Sequence, residues 1–513
     1  MTSFSHPNCS KELRLLHKTD MKRIAIILTL CAVSAGIWGI VPPRNPADTI
    51  AYHQRVRAMR TSDRKTPARE EAVGTVRVFP RVPVILVSYP DMPYRLNRAD
   101  IDSMFNARHF DLDGATGSVR QYFYDQSSGA YNPQFDIYGP VTVGNNYAHY
   151  ANRASKLVLE ACALMNDSLD FKLYDTDGDG TVDLTYCVYA GPPASDGNYI
   201  DKAWISNSSN LVWPHYHTIS AAGTYGLTST FDGKKIDEYE VSSELDGCFS
   251  SATKAVMAGV GLACHEFGHG LGLPDIYSTS EQTTHKTCGQ WDVMDYGCYN
   301  NNVHTPPCYS AYERWFMGWL TPQLINKAAN VTLQALSSSN TAAYITTSGE
   351  AISTVTRPNP NLFYMLENRQ PTGWDAYLPG HGLIITRINY RSTWWTGNTV
   401  NVTAGNLGID LIEADGDAPT YQAGVKNGFY GKLTDAFPFG ASSYNGITNF
   451  SITDIEETEG LNEGLIRFKV NGGDPTGVEN QKSKIENRNK ILRDGQIVIV
   501  REGKEYDVLG RLL

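Results

Sequence analysis

The segment Cys264-His-Glu-Phe-Gly-His-Gly-Leu-Gly-Leu-Pro-Asp275 constrains this chain more than any other. On a helix, residues four apart share one face, so the imidazoles of His265 and His269 can reach a single zinc ion. Glu266 is then left beside the metal, free to take a proton from water. Gly272 and Pro274 forbid further helix, and a glycine lets the backbone turn sharply enough for Asp275 to return as the third ligand of a tetrahedral centre with one open position. The helix can be drawn from about Ser251 through Ala263 to Gly270. One catalytic zinc with Glu266 as general base implies amide hydrolysis. Cys264 precedes His265 directly, and adjacent helical positions point about 100° apart, so it reads as a packing residue.

A bare His-Glu-x-x-His also occurs in unrelated helices, so the weight comes from what surrounds it. Downstream lies Trp291-Asp-Val-Met294-Asp-Tyr296-Gly297, where a methionine in a tight turn would sit beneath the zinc. His215 and His217 follow Trp213-Pro214 and are candidates for shaping the cleft or binding substrate.

A second cation pattern is Asp175-Thr-Asp177-Gly-Asp179-Gly-Thr181-Val-Asp183. It places oxygens at positions 1, 3, 5, 7 and 9 of a calcium loop, with glycine at 6 for the turn, and a hard cation suits it. The twelfth position is Tyr186 instead of a bidentate glutamate, and a strand follows. The expectation is at least one structural Ca2+, not a sensor. Glu413, Asp415, Asp417 and Asp435 form a further acidic group without regular spacing.

The 513 residues carry 44 Lys+Arg against 54 Asp+Glu, a net charge of −10. No basic stretch is long enough to track phosphates, so nucleic acid is not an expected partner. Met21-Lys-Arg followed by the apolar run from Ile24 to about Ile40 has the pattern of a signal peptide, with Val33-Ser-Ala35 offering small residues for cleavage. The organisation expected is residues 1–20 as an untranslated or non-functional extension, 21–35 as signal peptide and 36–80 as linker or pro-segment. Residues 81–320 would be the catalytic domain, 321–472 a β-sandwich, and 473–513 a linker with a candidate sorting segment. Seven cysteines remain beyond residue 35, an odd count, and Cys288, Cys298 and Cys308 could include one bridge.

Apolar runs at Val82–Ser88 and Leu184–Ala190 read as buried strands, and helical signals fall at 99–108, 117–127 and 150–164, an α/β arrangement. Beyond Leu320 short runs such as Asn330–Leu336, Leu362–Leu366, Gly382–Ile388, Gly408–Ile412 and Gly464–Val470 read as strands of an all-β domain. Ile491–Leu513 alternates like strands around Asp494-Gly495 and Glu502-Gly503.

The zinc segment and its Met294 turn resemble the immune inhibitor A family of secreted bacterial metallopeptidases. The resemblance extends to Val84–Asp91, Ser118–Tyr122 through Ser128-Gly129, Trp213-Pro-His215, Tyr309–Trp319, Leu366–Gln370, Gly380–Ile385 and Glu413–Gly416, and covers roughly residues 80–470. It implies a metzincin-like α/β (α+β) catalytic domain followed by an all-β sandwich. It implies zinc on His265, His269 and Asp275, Glu266 as base and Met294 as the turn residue. Tyr296 falls where astacin-like metzincins place a tyrosine that can stabilise the oxyanion. Protein or peptide substrates are the expected partners of a monomer that is secreted or held at the cell surface. The last strands resemble sorting segments read by type IX secretion, which makes outer-membrane secretion machinery a candidate partner. The rival reading is a catalytically silent surface adhesin on the same fold, which intact Glu266 disfavours. A serine hydrolase is disfavoured because no Gly-x-Ser-x-Gly elbow occurs.

Overall fold

The computed structural model describes residues 39, 40, 42, 44, 77–199, 205, 207–279, 287–417, 431–458 and 464–473, with the backbone of 489–493, 496–501 and 504–506. The expected signal peptide, residues 1–20 and most of 36–80 lie outside the described residues. So do parts of the C-terminal segment. Among the described residues no helix is long and apolar enough to cross a membrane.

The architecture is mixed α/β. The strands of the N-terminal part are β1 (Gly39–Ile40), β2 (Arg81–Ser88), β3 (Gln134–Thr142), β4 (Thr185–Tyr189) and β5 (His215–Thr218), then the hairpin pair β6 (Thr230–Phe231) and β7 (Lys234–Lys235), and β8 (Glu238–Ser243). One six-stranded sheet runs β1-β5-β8-β4-β2-β3. Its centre, β2, β4 and β8, is parallel, whereas β5 runs antiparallel to β8. Central parallel strands are covered on both faces and read as unbroken apolar runs; Arg81–Ser88, buried at seven of its eight positions, is such a run. Helices Arg98–Asn106, Val119–Gln126 and Ala154–Met165 match the sequence expectation to within a few residues.

The helix carrying the histidines spans Val260–Gly270, all of it buried, which corrects the expected start near Ser251. Residues 250–257 are closed on themselves instead: Ser251 N–H donates to Lys254 O at 2.8 Å, Val256 N–H to the Ser250 hydroxyl at 3.0 Å, and Leu245 bridges Met257. Gly259 then offers no side-chain cap, and Val303 O accepts from Gly261 N–H at 2.7 Å, taking one of the donors a helix start leaves unpaired. A Cβ on Gly261 would lie 2.0 Å from Cys298 O, so this helix passes against the backbone that follows Met294.

Downstream strands are β9 (Gln323–Leu324), β10 (Ala329–Leu333), β11 (Ala343–Thr346), β12 (Leu362–Arg369), β13 (Gly382–Asn389), β14 (Ile409–Leu411), β15 (Tyr444–Ile447), β16 (Phe450–Glu457) and β17 (Ile466–Val470). They form a five-stranded sheet, β14-β13-β12-β11-β9, and a four-stranded one, β10-β17-β16-β15. Side chains alternate along a strand, and β12 uses both faces. Tyr364 and Leu366 join the apolar cluster shared with the four-stranded sheet, while Phe363 and Met365 join the core that contains the histidine helix. The same alternation carries Glu367 and Arg369 into that core. Arg369 is 1% exposed and bonds Asp375 at 2.8 and 2.6 Å, Glu367 at 3.0 Å, Trp291 O at 3.2 Å and Cys308 O at 3.2 Å. Trp291 Nε1 donates to Asp435 at 3.0 Å. The segment leading to Met294 is thus fastened to residues well beyond 320. A last meander pairs β18 (Asn489–Arg493) antiparallel with β19 (Gln496–Arg501) and β19 antiparallel with β20 (Lys504–Tyr506); Asp494-Gly495 and Glu502-Gly503 lie outside the described residues.

Breaking one partner of a buried ion pair costs about 3–5 kcal/mol. Arg369→Ala should therefore lower the unfolding free energy by that amount in chemical denaturation; a loss under about 1 kcal/mol, the level of an exposed pair, would contradict the role given to this network.

Candidate active site

The histidine helix ends at Leu271, and Gly272 adopts φ +107°, a conformation costly for any residue with a Cβ. This turn returns the chain so that Asp275 faces both histidines. Nε2 of His265 and of His269 lie 3.2 Å apart, and Asp275 Oδ1 is 3.3 and 3.1 Å from them, with all three side chains buried. The opposite ring nitrogens are committed: Nδ1 of His265 lies 2.8 Å from Val293 O, and Nδ1 of His269 lies 2.8 Å from Leu273 O. A carbonyl only accepts, so each Nδ1 carries the proton and each Nε2 turns a lone pair toward the same point. Asp275 Oδ1 adds a third acceptor, buried without a hydrogen-bond donor. Three converging acceptors fit a cation, and two imidazoles with one carboxylate suit zinc.

Glu266 is fully buried, and its Oε2 accepts the N–H of Tyr216 on β5 at 2.8 Å. Met294 lies under the helix: a Cβ on Gly268, between the two histidines, would come 2.7 Å from its Sδ. Tyr296 begins the 3-10 turn after Met294, and its ring centre is 6.4 Å from that of Tyr277, whose ring stacks on His265 at 6.3 Å. Cys264 is buried with no exposure, as expected. His215 and His217 are buried against the Tyr239 ring at 5.5 and 6.2 Å. All seven described cysteines are thiols, so the bridge that Cys288, Cys298 and Cys308 could have included is not formed.

Two residues at the site escaped the sequence reading. Asn398 holds Asp275 twice, its Oδ1 accepting from the Asp275 N–H at 2.7 Å and its amide donating to Asp275 Oδ2 at 2.5 Å. It lies 123 positions away in the chain, with no local signal to reveal it. Glu240, on β8, is buried beside Tyr186, and burial followed by the charge of nearby Glu266 pushes its carboxyl well above the ordinary carboxylate range.

In the acidic loop, Asp175, Asp177 and Asp183 offer oxygens within 4.8 Å of one another. Asp179 is turned to cap Thr181 N–H at 2.7 Å, and Lys234 Nζ pairs with Asp175. In the other acidic group Lys432 bridges Asp415 and Asp417 at 2.7 and 2.9 Å.

The ligand set lies within a segment that matches a metallopeptidase domain. Residues 71–320 match the model of the immune inhibitor A peptidase M6 catalytic domain, and the expected kinship with that family holds over this segment. The chain is 23% identical over 321 residues to the pre-pro-metalloprotease PrtV of Vibrio cholerae, covering 52% of this chain and 33% of that protein. It is 27% identical over 306 residues to immune inhibitor A of Bacillus thuringiensis subsp. alesti, covering 49% of this chain and 41% of that one. The aligned part therefore spans well under half the length of these relatives.

Partners that orient a metal ligand typically contribute 10–100-fold in affinity. Asn398→Ala should weaken zinc binding by about that factor in competition with a chromophoric chelator, and unchanged affinity would remove its role. A carboxyl with a raised folded pKa adds stability that is complete below its unfolded value and lost as pH rises. Glu240→Gln should thus flatten the decline in unfolding free energy as pH rises above 4.5; a variant that tracks the parent from about pH 5 to about pH 8 would refute a neutral Glu240.

Proposed function

We propose that the chain is a secreted zinc-dependent endopeptidase acting on extracellular proteins. The observation that carries this reading is the convergence of His265 Nε2, His269 Nε2 and Asp275 Oδ1, with Glu266 beside them. Zinc held by those three groups supplies Lewis-acid chemistry, polarising a substrate carbonyl and acidifying water. Glu266, fixed by the Tyr216 N–H, takes the proton as water attacks the carbonyl carbon. It then delivers that proton to the leaving amine, so one carboxylate serves as base and acid in turn. Tyr296 is assigned to the oxyanion, and Met294 to packing beneath the histidines.

The antiparallel β5 beside the parallel strands, the buried helix and the Met294 turn support a metzincin-like catalytic part. The apolar cluster shared by the two downstream sheets supports a β-sandwich. The trio Asp175, Asp177 and Asp183 supports one structural calcium, provided Lys234 withdraws from Asp175. Secretion rests on the Met21–Ala35 pattern and on the relatives, of which PrtV is described as a pre-pro-protein.

General acid–base catalysis contributes about 10²- to 10⁴-fold. Glu266→Gln should lose casein hydrolysis by at least that factor while keeping one zinc per chain, and a variant that still cuts casein would exclude Glu266 as the base. A ligand at 100 times its Kd stabilises by about 2.7 kcal/mol. Calcium should raise the thermal midpoint of the parent and not of Asp177→Asn; equal shifts would place the ion elsewhere.

A further inference from the structure

The described part of the N-terminal segment lies along the active site. β1 pairs antiparallel with the outer edge of β5, Gly39 opposite Tyr216 and Ile40 opposite His215. Tyr216 is the residue whose N–H holds Glu266, so this strand runs beside the proposed base. Farther along, the Pro42 carbonyl accepts from the Tyr299 hydroxyl at 2.6 Å, in the turn that follows Met294. The segment therefore touches both β5 and the turn that follows Met294. An extended chain added to a sheet edge is also how β-augmentation captures peptides, with backbone bonds giving affinity and side-chain pockets giving specificity.

One side chain of this segment has a built pocket. The Arg44 N–H donates to Ser195 O at 3.0 Å, and its Nη1 reaches Asp246 Oδ2 at 2.9 Å and Asp196 Oδ1 at 3.4 Å. Its guanidinium carbon lies 5.7 Å from the ring centre of Phe249 and 5.8 Å from that of Tyr299. Asp196 and Asp246 are 1% and 3% exposed. Each is locked by its other oxygen: Asp196 Oδ2 accepts from Gly247 N–H at 2.7 Å, and Asp246 Oδ1 from Cys248 and Phe249 N–H at 2.8 and 3.2 Å. Those bonds do not involve Arg44, so the loops themselves aim two carboxylate oxygens at one point.

Two carboxylates this buried and this close need a cation to remain ionised together. Two aromatic rings centred 5.7 and 5.8 Å from the guanidinium carbon suit a flat guanidinium better than the compact ammonium of lysine or a small divalent ion. We propose that Asp196 and Asp246 form a specificity pocket for an arginine side chain of peptide substrates, occupied here by Arg44 of a segment lying where a substrate would lie. This rests on the peptidase reading. Arg44 stands on the carboxyl side of the residue opposite Tyr216, so a bound peptide would place its arginine on that side of the strand paired with β5.

The test has a binding arm and a turnover arm. The full chain carrying Arg44→Ala and Glu266→Gln is titrated with extended fluorescent peptides differing only in arginine, lysine or alanine at one position. The arginine peptide should bind at least about tenfold tighter, a difference of about 1.4 kcal/mol. Adding Asp196→Asn or Asp246→Asn should bring the ratio near one. Equal affinities for the three peptides overturn the pocket. If Arg44→Ala folds poorly, ethylguanidinium should raise its thermal midpoint more than ethylammonium does, and equal effects likewise overturn the pocket. In the turnover arm, Arg44→Ala with Glu266 intact digests unfolded casein and the cut sites are sequenced. Arginine enriched at a fixed position near the cut supports the pocket. Cleavage without enrichment overturns the pocket and leaves the peptidase standing; arginine-selective binding without cleavage does the reverse.

Discussion

Two imidazole nitrogens and a carboxylate oxygen held within 3.3 Å of one another in a buried site repel unless a cation lies among them. Much of the surrounding architecture forces that approach. Carbonyls of Val293 and Leu273 fix both rings, Gly272 turns the chain back, and Asn398 grips Asp275 by backbone and side chain at once. Without a cation nothing joins these groups, so a metal bound among them would be coupled to the local fold.

The scaffold behind the site does not stop at the end of the matched segment. One face of the five-stranded sheet belongs to the same apolar core as the histidine helix, and Arg369 and Asp435 hold the residues that lead to Met294. The downstream sheets are therefore part of what positions His265, His269 and Asp275. That is consistent with Asn398, which grips the proposed third ligand, lying outside residues 71–320.

What the sequence made legible follows from range. His265, His269 and Asp275 are within one helix and one turn of each other, so spacing alone placed them, and the positive φ at Gly272 is the conformation the turn required. Strands such as Arg81–Ser88 and Gly382–Asn389 were visible as apolar or alternating runs. The start of the histidine helix was not, because residues 251–257 satisfy their backbone through a local turn and a bridge that compete with helix. Asn398, Glu240, Arg369 and the Asp196–Asp246 pair depend on neighbours far away in the chain, and nothing in their local pattern announces burial. The acidic loop was half legible: Asp175, Asp177 and Asp183 converge, but Lys234 arrives from another hairpin.

The most direct test of the account is X-ray absorption at the zinc edge on the purified protein. The three groups proposed as ligands predict one zinc per chain in a nitrogen and oxygen shell at about 2.0–2.2 Å, with multiple-scattering features of two imidazoles and no sulfur at about 2.3 Å. A sulfur shell, drawing in Cys264 or Cys298, or a chain that takes up no stoichiometric zinc would contradict it.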